Sequence, residues 1–86
     1  MNAEINELRQ EISRLDKSLL EILEKRFEIC VEIGNNKKQN GLPIEDLTRE
    51  KAIIEDKVKN SHLNKEFTKR LFELIFKESK RLQNDP

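Results

Sequence analysis

The apolar residues in the first part of the chain recur at spacings of three, four and seven. This pattern is typical of one face of an amphipathic helix and is close to a heptad repeat. Ile5, Ile12 and Leu19 share one heptad position, and most of the residues between them are polar or charged. Gly34 interrupts the pattern only weakly, because one glycine costs a helix about 1 kcal/mol relative to alanine. The pattern predicts one long helix over about residues 3–38.

Two shorter helices are predicted after a break at Asn40-Gly41-Leu42-Pro43, where glycine permits left-handed dihedrals and proline cannot continue a helix. Asp46 has the side chain of an N-cap for a second helix, over about residues 47–60, and Asn64 for a third, over about residues 65–83. The apolar stripe of the third helix is predicted at Phe67, Leu71, Leu74, Ile75 and Leu82. No strand pattern or internal repeat is visible. The sequence therefore predicts an all-α fold with one long helix and two shorter ones.

The predicted long helix is too long for a compact monomer. At 1.5 Å per residue it would span ~54 Å, whereas a compact chain of this length has a radius of gyration near ~12 Å. The chain has 86 residues, which we expect to form one domain over residues 1–86. Because the apolar stripe continues along the protruding part, a second copy of the chain is the simplest cover for it. We therefore predict an intertwined helical homodimer.

The composition narrows the classes of function. Lys plus Arg is 17 and Asp plus Glu is 17, so the formal net charge is zero. This balance argues against a nucleic-acid or membrane-surface binder, which usually carries a basic excess. Cys30 and His62 are the only residues of their types, which argues against a disulfide framework, a zinc site or a histidine-based triad. No apolar run approaches the ~20 residues of a membrane span. We expect a cytoplasmic protein with no metal and no cofactor.

Arg26 breaks the apolar stripe, because it occupies the same heptad position as Ile5 and Ile12. A desolvated arginine needs an anionic partner. Lys37 lies eleven residues further on, about 20° around the helix and ~16 Å along it, so the two cations share a face. Together they have the spacing to grip a small dicarboxylate. The alternative interpretation is structural: Arg26 forms a salt bridge with a buried glutamate or extends its head to solvent.

Several other polar residues have simple structural interpretations when each is taken alone. Glu50 places a favourable negative charge near the start of the second helix. Ser79 and Gln83 are four residues apart on the third helix and share a face with Phe76, yet they can be ordinary polar surface near a helix end. Arg9 can be a solvated surface residue. From the residues alone, the prediction is an all-helical dimer with an anion-binding interior.

The order and spacing of these residues resemble the all-helical, AroQ-type chorismate mutases over nearly the whole chain. Besides the polar residues already described, the segments that carry the resemblance are Leu8-Arg9, Ile12-Ser13-Arg14-Leu15-Asp16, Leu19-Leu20, Val31-Glu32-Ile33-Gly34, Pro43-Ile44-Glu45-Asp46 and Arg70-Leu71-Phe72. Eight residues fall at the family's active-site positions: Arg9, Arg26, Lys37, Asp46, Arg49, Glu50, Ser79 and Gln83.

The resemblance implies a Claisen rearrangement of chorismate to prephenate, in phenylalanine and tyrosine biosynthesis, without a covalent intermediate. It places Lys37 and Gln83 on the ether oxygen, where negative charge develops. It assigns the two substrate carboxylates to Arg26 and to Arg9, the latter lent by the partner subunit. Arg9 and Arg26 are ~25 Å apart along one helix, so they cannot grip one small molecule from a single chain.

The resemblance gives the remaining residues supporting roles. Glu50 would accept a hydrogen bond from the ring hydroxyl, and Ser79 would assist at a carboxylate. Asp46 would shape the start of the second helix, and Arg49 would orient Glu50 or complete the cationic wall. Two alternatives stay open: an isochorismate-pyruvate lyase on the same fold, and a non-catalytic helical dimerisation module.

Overall fold

The computed structural model of this chain describes residues 2–84, which form three α-helices. They are α1 (Ala3–Gln39), α2 (Leu47–Asn60) and α3 (Lys65–Asn84). Residues 2–84 contain no strand. The predicted all-α fold is confirmed, and each helix bound lies within one residue of its predicted position. The described residues include no helix long and apolar enough to cross a membrane.

Side-chain caps and one glycine turn determine where the helices begin and where α1 ends. The side chain of Asp46 accepts a hydrogen bond from the backbone N–H of Arg49 at 3.0 Å, and Asn64 accepts one from Phe67 at 2.8 Å, as expected for N-caps. Gly41 has φ of +66°, a left-handed conformation that favours glycine. The N–H of Leu42 then donates to the carbonyl of Lys37 at 2.8 Å, which closes the last turn of α1.

α3 packs against both α1 and α2, so it forms the centre of the described chain. Ile75 and Phe76 are its buried apolar residues, and Thr68, Ser79 and Gln83 are buried beside them. This face differs from the predicted stripe, because Phe67 and Leu74 are 54% and 66% exposed. The reason is that the face of α3 turned toward the other two helices carries three polar residues, Thr68, Ser79 and Gln83, beside Ile75 and Phe76. Ser79 and Gln83 are therefore not the polar surface residues of the structural interpretation.

The N-terminal half of α1 projects from the rest of the chain. The radius of gyration is 16.8 Å and the longest dimension is 60 Å, well above the ~12 Å radius of a compact chain. Every residue from 2 to 22 is exposed, including Leu15 at 68% and Ile22 at 66%. The predicted protrusion of the long helix is confirmed. The homodimer that would cover its apolar stripe stays a prediction.

Candidate active site

One pocket collects most of the polar residues singled out in the sequence. It lies between the C-terminal half of α1, the start of α2 and the last turns of α3, and it has a volume of about 130 Å³. Seven of the eight predicted site residues line it: Arg26, Lys37, Asp46, Arg49, Glu50, Ser79 and Gln83. Helix packing therefore brings together residues that are far apart in the sequence, since Arg26 and Gln83, 57 positions apart, line the same pocket.

Arg26 lines this pocket without a carboxylate partner among residues 2–84. One guanidinium nitrogen lies 3.4 Å from Ser79 Oγ and 3.5 Å from Cys30 Sγ. The guanidinium carbon lies 5.8 Å from the centre of the Phe76 ring, within cation–π distance. Neutral partners orient the guanidinium without neutralising it. The buried salt bridge proposed as the structural interpretation of Arg26 is absent from the described residues, and the charge stays available to an anion.

Ser79 completes the orientation of Arg26. Its hydroxyl donates to the carbonyl of Ile75 at 2.9 Å, one turn earlier on α3, and its side chain is buried. With its proton committed to that carbonyl, the oxygen presents lone pairs to the Arg26 guanidinium. The hydroxyl thus links α3 to α1 in the wall of the pocket.

Lys37 lies near the end of α1 and connects the pocket to the loop that follows. Its ammonium donates to the carbonyl of Ile44 at 2.9 Å. An ammonium has three donors, so one bond to the loop leaves two for a ligand. The glycine turn at Gly41 brings Ile44 back over α1, and this return of the chain places Asp46 and the start of α2 at the same pocket.

Glu50 forms an ion pair across the mouth of the pocket with a residue that the sequence did not suggest. Lys80 Nζ lies 3.3 Å from each of the two carboxylate oxygens of Glu50. The side chain of Arg49 makes no hydrogen bond or ion pair within residues 2–84, and its backbone N–H binds the Asp46 cap. The proposal that Arg49 orients Glu50 is therefore not supported by these contacts, because Lys80 holds that carboxylate.

Gln83 is buried against α1, with only 9% of its surface exposed. Its amide oxygen is buried without a hydrogen-bond partner among the described residues. Gly34 explains how Gln83 comes so close: a Cβ added at Gly34 would lie 2.6 Å from Gln83 Cγ and 2.8 Å from its Cβ. Such distances are too short for an unshifted structure, so glycine at this position allows α3 to approach α1.

The charges around the pocket favour an anionic ligand. Four cations line it (Arg26, Lys37, Arg49 and Lys80), against two carboxylates (Asp46 and Glu50), which leaves an excess of two positive charges (4 − 2). Low-dielectric walls strengthen the field of such a group of charges. The apolar part of the pocket wall consists of Ile33, Ile44, Ile53 and Phe76. Residues 2–84 contain no cluster of three or more histidine, cysteine or acidic side chains that could hold a metal ion.

Two polar features lie outside the pocket. Arg9 is on the exposed N-terminal half of α1, ~25 Å along the helix from Arg26, and does not line the pocket of its own chain. On α3, the hydrogen bond from Arg81 lowers the pKa of Glu78, and neither residue lines the pocket.

Comparison with known proteins gives the family. Residues 8–84 match the model of the family described as chorismate mutase type II. The chain belongs to the chorismate mutase type II family. It is 39% identical over 75 residues to the bifunctional chorismate mutase/prephenate dehydratase of Escherichia coli K12, which covers 84% of this chain and 19% of that protein. A protein of the same description from Buchnera aphidicola subsp. Schizaphis graminum is 38% identical over 74 residues, covering 83% of this chain and 19% of that protein.

Solved structures of chorismate mutases share the arrangement of the helices. Form II of the chorismate mutase from Thermus thermophilus superposes with a TM-score of 0.88 at 30% identity, covering 95% of this chain and 98% of that one. Form I superposes with a TM-score of 0.83 at 31% identity, covering 87% of this chain and 96% of that one. The chain spans about a fifth of the length of the curated bifunctional relatives and nearly the full length of these solved chains.

Sequence reasoning missed the roles of two residues at this pocket: Lys80, which lines it, and Gly34, which contacts the lining residue Gln83. Gly34 was interpreted as a weak interruption of α1 within a segment of the resemblance, and its close approach to Gln83 was not predicted. Lys80 was not singled out, although it neighbours Ser79 and lies three residues before Gln83 on the same helix. Residues three and four apart share a helix face, so this spacing was an available indication of its place.

Proposed function

We propose that this chain catalyses the Claisen rearrangement of chorismate to prephenate. One observation supports this most directly: Arg26 and Lys37 line one pocket with no carboxylate partner in the described chain, at family positions. Chorismate carries two carboxylates, and a pocket with an excess of positive charge suits such a substrate. The cytoplasmic location expected from the sequence belongs to the same proposal.

Charge stabilisation is the central element of the proposed mechanism. One C–O bond breaks while one C–C bond forms, and negative charge develops on the ether oxygen. The free donors of Lys37 and the amide N–H of Gln83 would meet that oxygen. Donors fixed in advance cost no reorganisation during the reaction, and each is typically worth about 3–4 kcal/mol. An amide donates without being protonated, so Gln83 can do this across neutral pH.

Positioning of the substrate is the second element. Arg26 would hold one carboxylate, and Arg9 of the partner subunit would hold the other from a neighbouring long helix. Two fixed carboxylates favour the compact conformer in which the reacting carbons are close, which lowers the entropic part of the barrier. Ser79 would support Arg26 at its carboxylate through the 3.4 Å contact. Glu50 would accept the hydrogen bond of the ring hydroxyl.

Asp46 and Arg49 act at the edge of the proposed site. Asp46 caps α2 and so fixes the first turn of that helix, which carries Glu50. Arg49 is exposed and adds positive charge to the cationic wall. Both roles are indirect, and we expect smaller effects from their loss than from the loss of Arg26 or Lys37.

The loss of chorismate absorbance, with conversion of the product by acid to phenylpyruvate, tests the function. We expect the purified chain to consume chorismate and form prephenate, and Arg26→Ala to lose most of this activity while keeping its helical circular dichroism. A folded wild-type chain that leaves chorismate unchanged would contradict the proposal. Release of pyruvate from isochorismate would then indicate a lyase.

A mixing experiment tests the proposed lending of Arg9 between subunits. Arg9→Ala and Arg26→Ala should each be nearly inactive alone, because every homodimeric site then lacks one carboxylate ligand. A mixed dimer has one site with both arginines. If the subunits exchange at random, half the dimers are mixed, so activity should recover to about a quarter of wild type. No recovery in a verified mixed dimer would exclude a lent Arg9.

The exposed apolar stripe of α1 predicts which substitution should dissociate the proposed dimer. The chain mass is 10.2 kDa, so a dimer has twice that mass in sedimentation equilibrium. Leu19 is 53% exposed in one chain, and Leu19→Lys should shift the population toward monomer because a lysine cannot enter an apolar helix interface without cost. Lys17→Ala, on the same exposed half of α1, is the control and should stay dimeric. A monomeric wild-type chain would contradict the prediction.

A further inference from the structure

The ion pair between Lys80 and Glu50 differs from the other ion pairs of the described residues. Lys57–Asp56, Arg70–Glu66 and Arg81–Glu78 each join near neighbours on one helix. Lys80 instead joins α3 to α2, and its ammonium also lies 4.0 Å from Glu45 in the preceding loop. A single side chain of α3 therefore contacts both α2 and the loop that precedes it.

The pair is also less exposed than the others. The side chains of Lys80 and Glu50 are 28% and 21% exposed, whereas those of Arg70 and Glu66 are 76% and 61% exposed. Exposed pairs are screened by water and contribute little, while partly buried pairs are screened less. Lys80 reaches both carboxylate oxygens at 3.3 Å, so it limits rotation of the carboxylate as well as attracting it.

Glu50 depends on this one contact for its orientation. Within residues 2–84 its carboxylate has no other hydrogen-bond or ion-pair partner. The ammonium occupies part of the lone-pair capacity of the carboxylate and leaves the rest for a donor inside the pocket. Without Lys80, the carboxylate of the half-buried Glu50 would keep its charge, but no contact would fix its orientation.

We propose that Lys80 is a positioning residue that fixes the Glu50 carboxylate so that it accepts a hydrogen bond from a hydroxyl group of the substrate. Because Lys80 acts through Glu50 only if the pocket takes chorismate, this role rests on the proposed function. The ring hydroxyl takes no part in the bond changes, so its hydrogen bond strengthens the binding of the substrate and of the transition state equally. Loss of such uniform binding raises KM and leaves kcat nearly unchanged.

A direct role for Lys80 is the main competing explanation, since its ammonium lines the pocket and can bind a substrate carboxylate. The two roles differ in their dependence on Glu50. A positioning residue has no effect once Glu50 can no longer act as a carboxylate. A direct ligand keeps its effect in that background. A double-mutant cycle measures this difference.

The experiment compares Lys80→Met, Lys80→Arg, Glu50→Gln and the double variant Lys80→Met/Glu50→Gln in steady-state chorismate assays. Methionine keeps an unbranched apolar side chain and removes the charge. We expect Lys80→Met to raise KM about tenfold, equal to about 1.4 kcal/mol, and to lower kcat less than about threefold. Lys80→Arg should restore KM to within about twofold of wild type, since arginine can bind a carboxylate with two parallel hydrogen bonds. In the Glu50→Gln background, Lys80→Met should change KM less than about twofold.

Lys77→Met is the matched control, because Lys77 lies three residues earlier on α3, is exposed and does not line the pocket. It should keep wild-type kinetics, and circular dichroism should show all variants folded. Three results would each overturn the role of Lys80: a wild-type KM in Lys80→Met, no rescue of KM by arginine, or an undiminished effect of Lys80→Met in the Glu50→Gln background. In each case turnover of chorismate by the wild-type chain would still support the proposed mutase activity. A folded wild-type chain without turnover would overturn the proposed function, and this role with it.

Discussion

Replacing Lys37 by alanine should lower kcat roughly 100- to 1,000-fold, the usual cost of removing one fixed donor from developing negative charge. In the described chain the ammonium has one partner, the carbonyl of Ile44, and Lys37 lines the pocket, so its remaining donors are available to a ligand. If Lys37 binds the ether oxygen, its contact strengthens in the transition state, and the loss appears in kcat as well as in kcat/KM. Steady-state turnover of chorismate measures both constants.

The fold should survive this substitution. The backbone bond from Leu42 to the carbonyl of Lys37 closes the end of α1 without the side chain, and Gly41 keeps its left-handed turn. The lost bond to Ile44 costs about 1 kcal/mol of stability. Lys38→Ala is a close control, since Lys38 is exposed and absent from the pocket lining. Turnover near wild type in Lys37→Ala, or an equal loss in Lys38→Ala, would exclude the assigned role.

Helix positions were predictable because local physics determines them. The heptad spacing of Ile5 and Ile12, and the capping chemistry of Asp46 and Asn64, act over a few residues and do not need tertiary information. The protrusion of α1 followed from arithmetic on helix length. The buried face of α3 was less predictable, because Phe67 and Leu74 are apolar yet exposed in one chain. Their environment depends on what packs outside the chain, which a hydrophobic pattern does not specify.

The pocket was predictable in its residues and less so in its contacts. Seven of the eight residues predicted from the family resemblance line the pocket. The resemblance did not indicate which cation would bind Glu50. That choice depends on how α3 is rotated against α2, a result of packing across 30 residues of sequence between Glu50 and Lys80. Gly34 raises the same difficulty, since an absent side chain gives no chemical signature. Its role becomes visible only from the distance to Gln83.

Gly34→Ala should remove most activity through the position of Gln83. The new methyl carbon would lie 2.6 Å from Gln83 Cγ, 2.8 Å from its Cβ and 3.2 Å from its Cα. These atoms are at or near the backbone, so rotating the end of the side chain does not relieve the clash and the end of α3 must move away from α1. A misplacement of about 1 Å in an active site can cost roughly 100-fold in rate. We expect a fall of that size in kcat.

Stability should change much less than activity, because two effects oppose each other. Overpacking a close helix contact costs about 1–3 kcal/mol, whereas replacing glycine by alanine inside a helix contributes about 1 kcal/mol. The expected net loss is about 1 kcal/mol in the free energy of unfolding, measured by urea denaturation at one fixed protein concentration, since association would make stability depend on concentration. The variant should therefore be folded and nearly inactive.

Asn35→Ala separates the two effects. Asn35 follows Gly34 on α1 and is exposed, so alanine there improves helix propensity without approaching Gln83. It should keep wild-type kcat and match or exceed wild-type stability. Gly34→Ala with full activity would mean that α3 absorbs the methyl group without moving the Gln83 amide, or that this amide does not act on the substrate. Gln83→Ala distinguishes these two results: full activity there as well would remove Gln83 from the proposed mechanism, while a large loss would leave Gln83 in place and limit the role of Gly34 to packing.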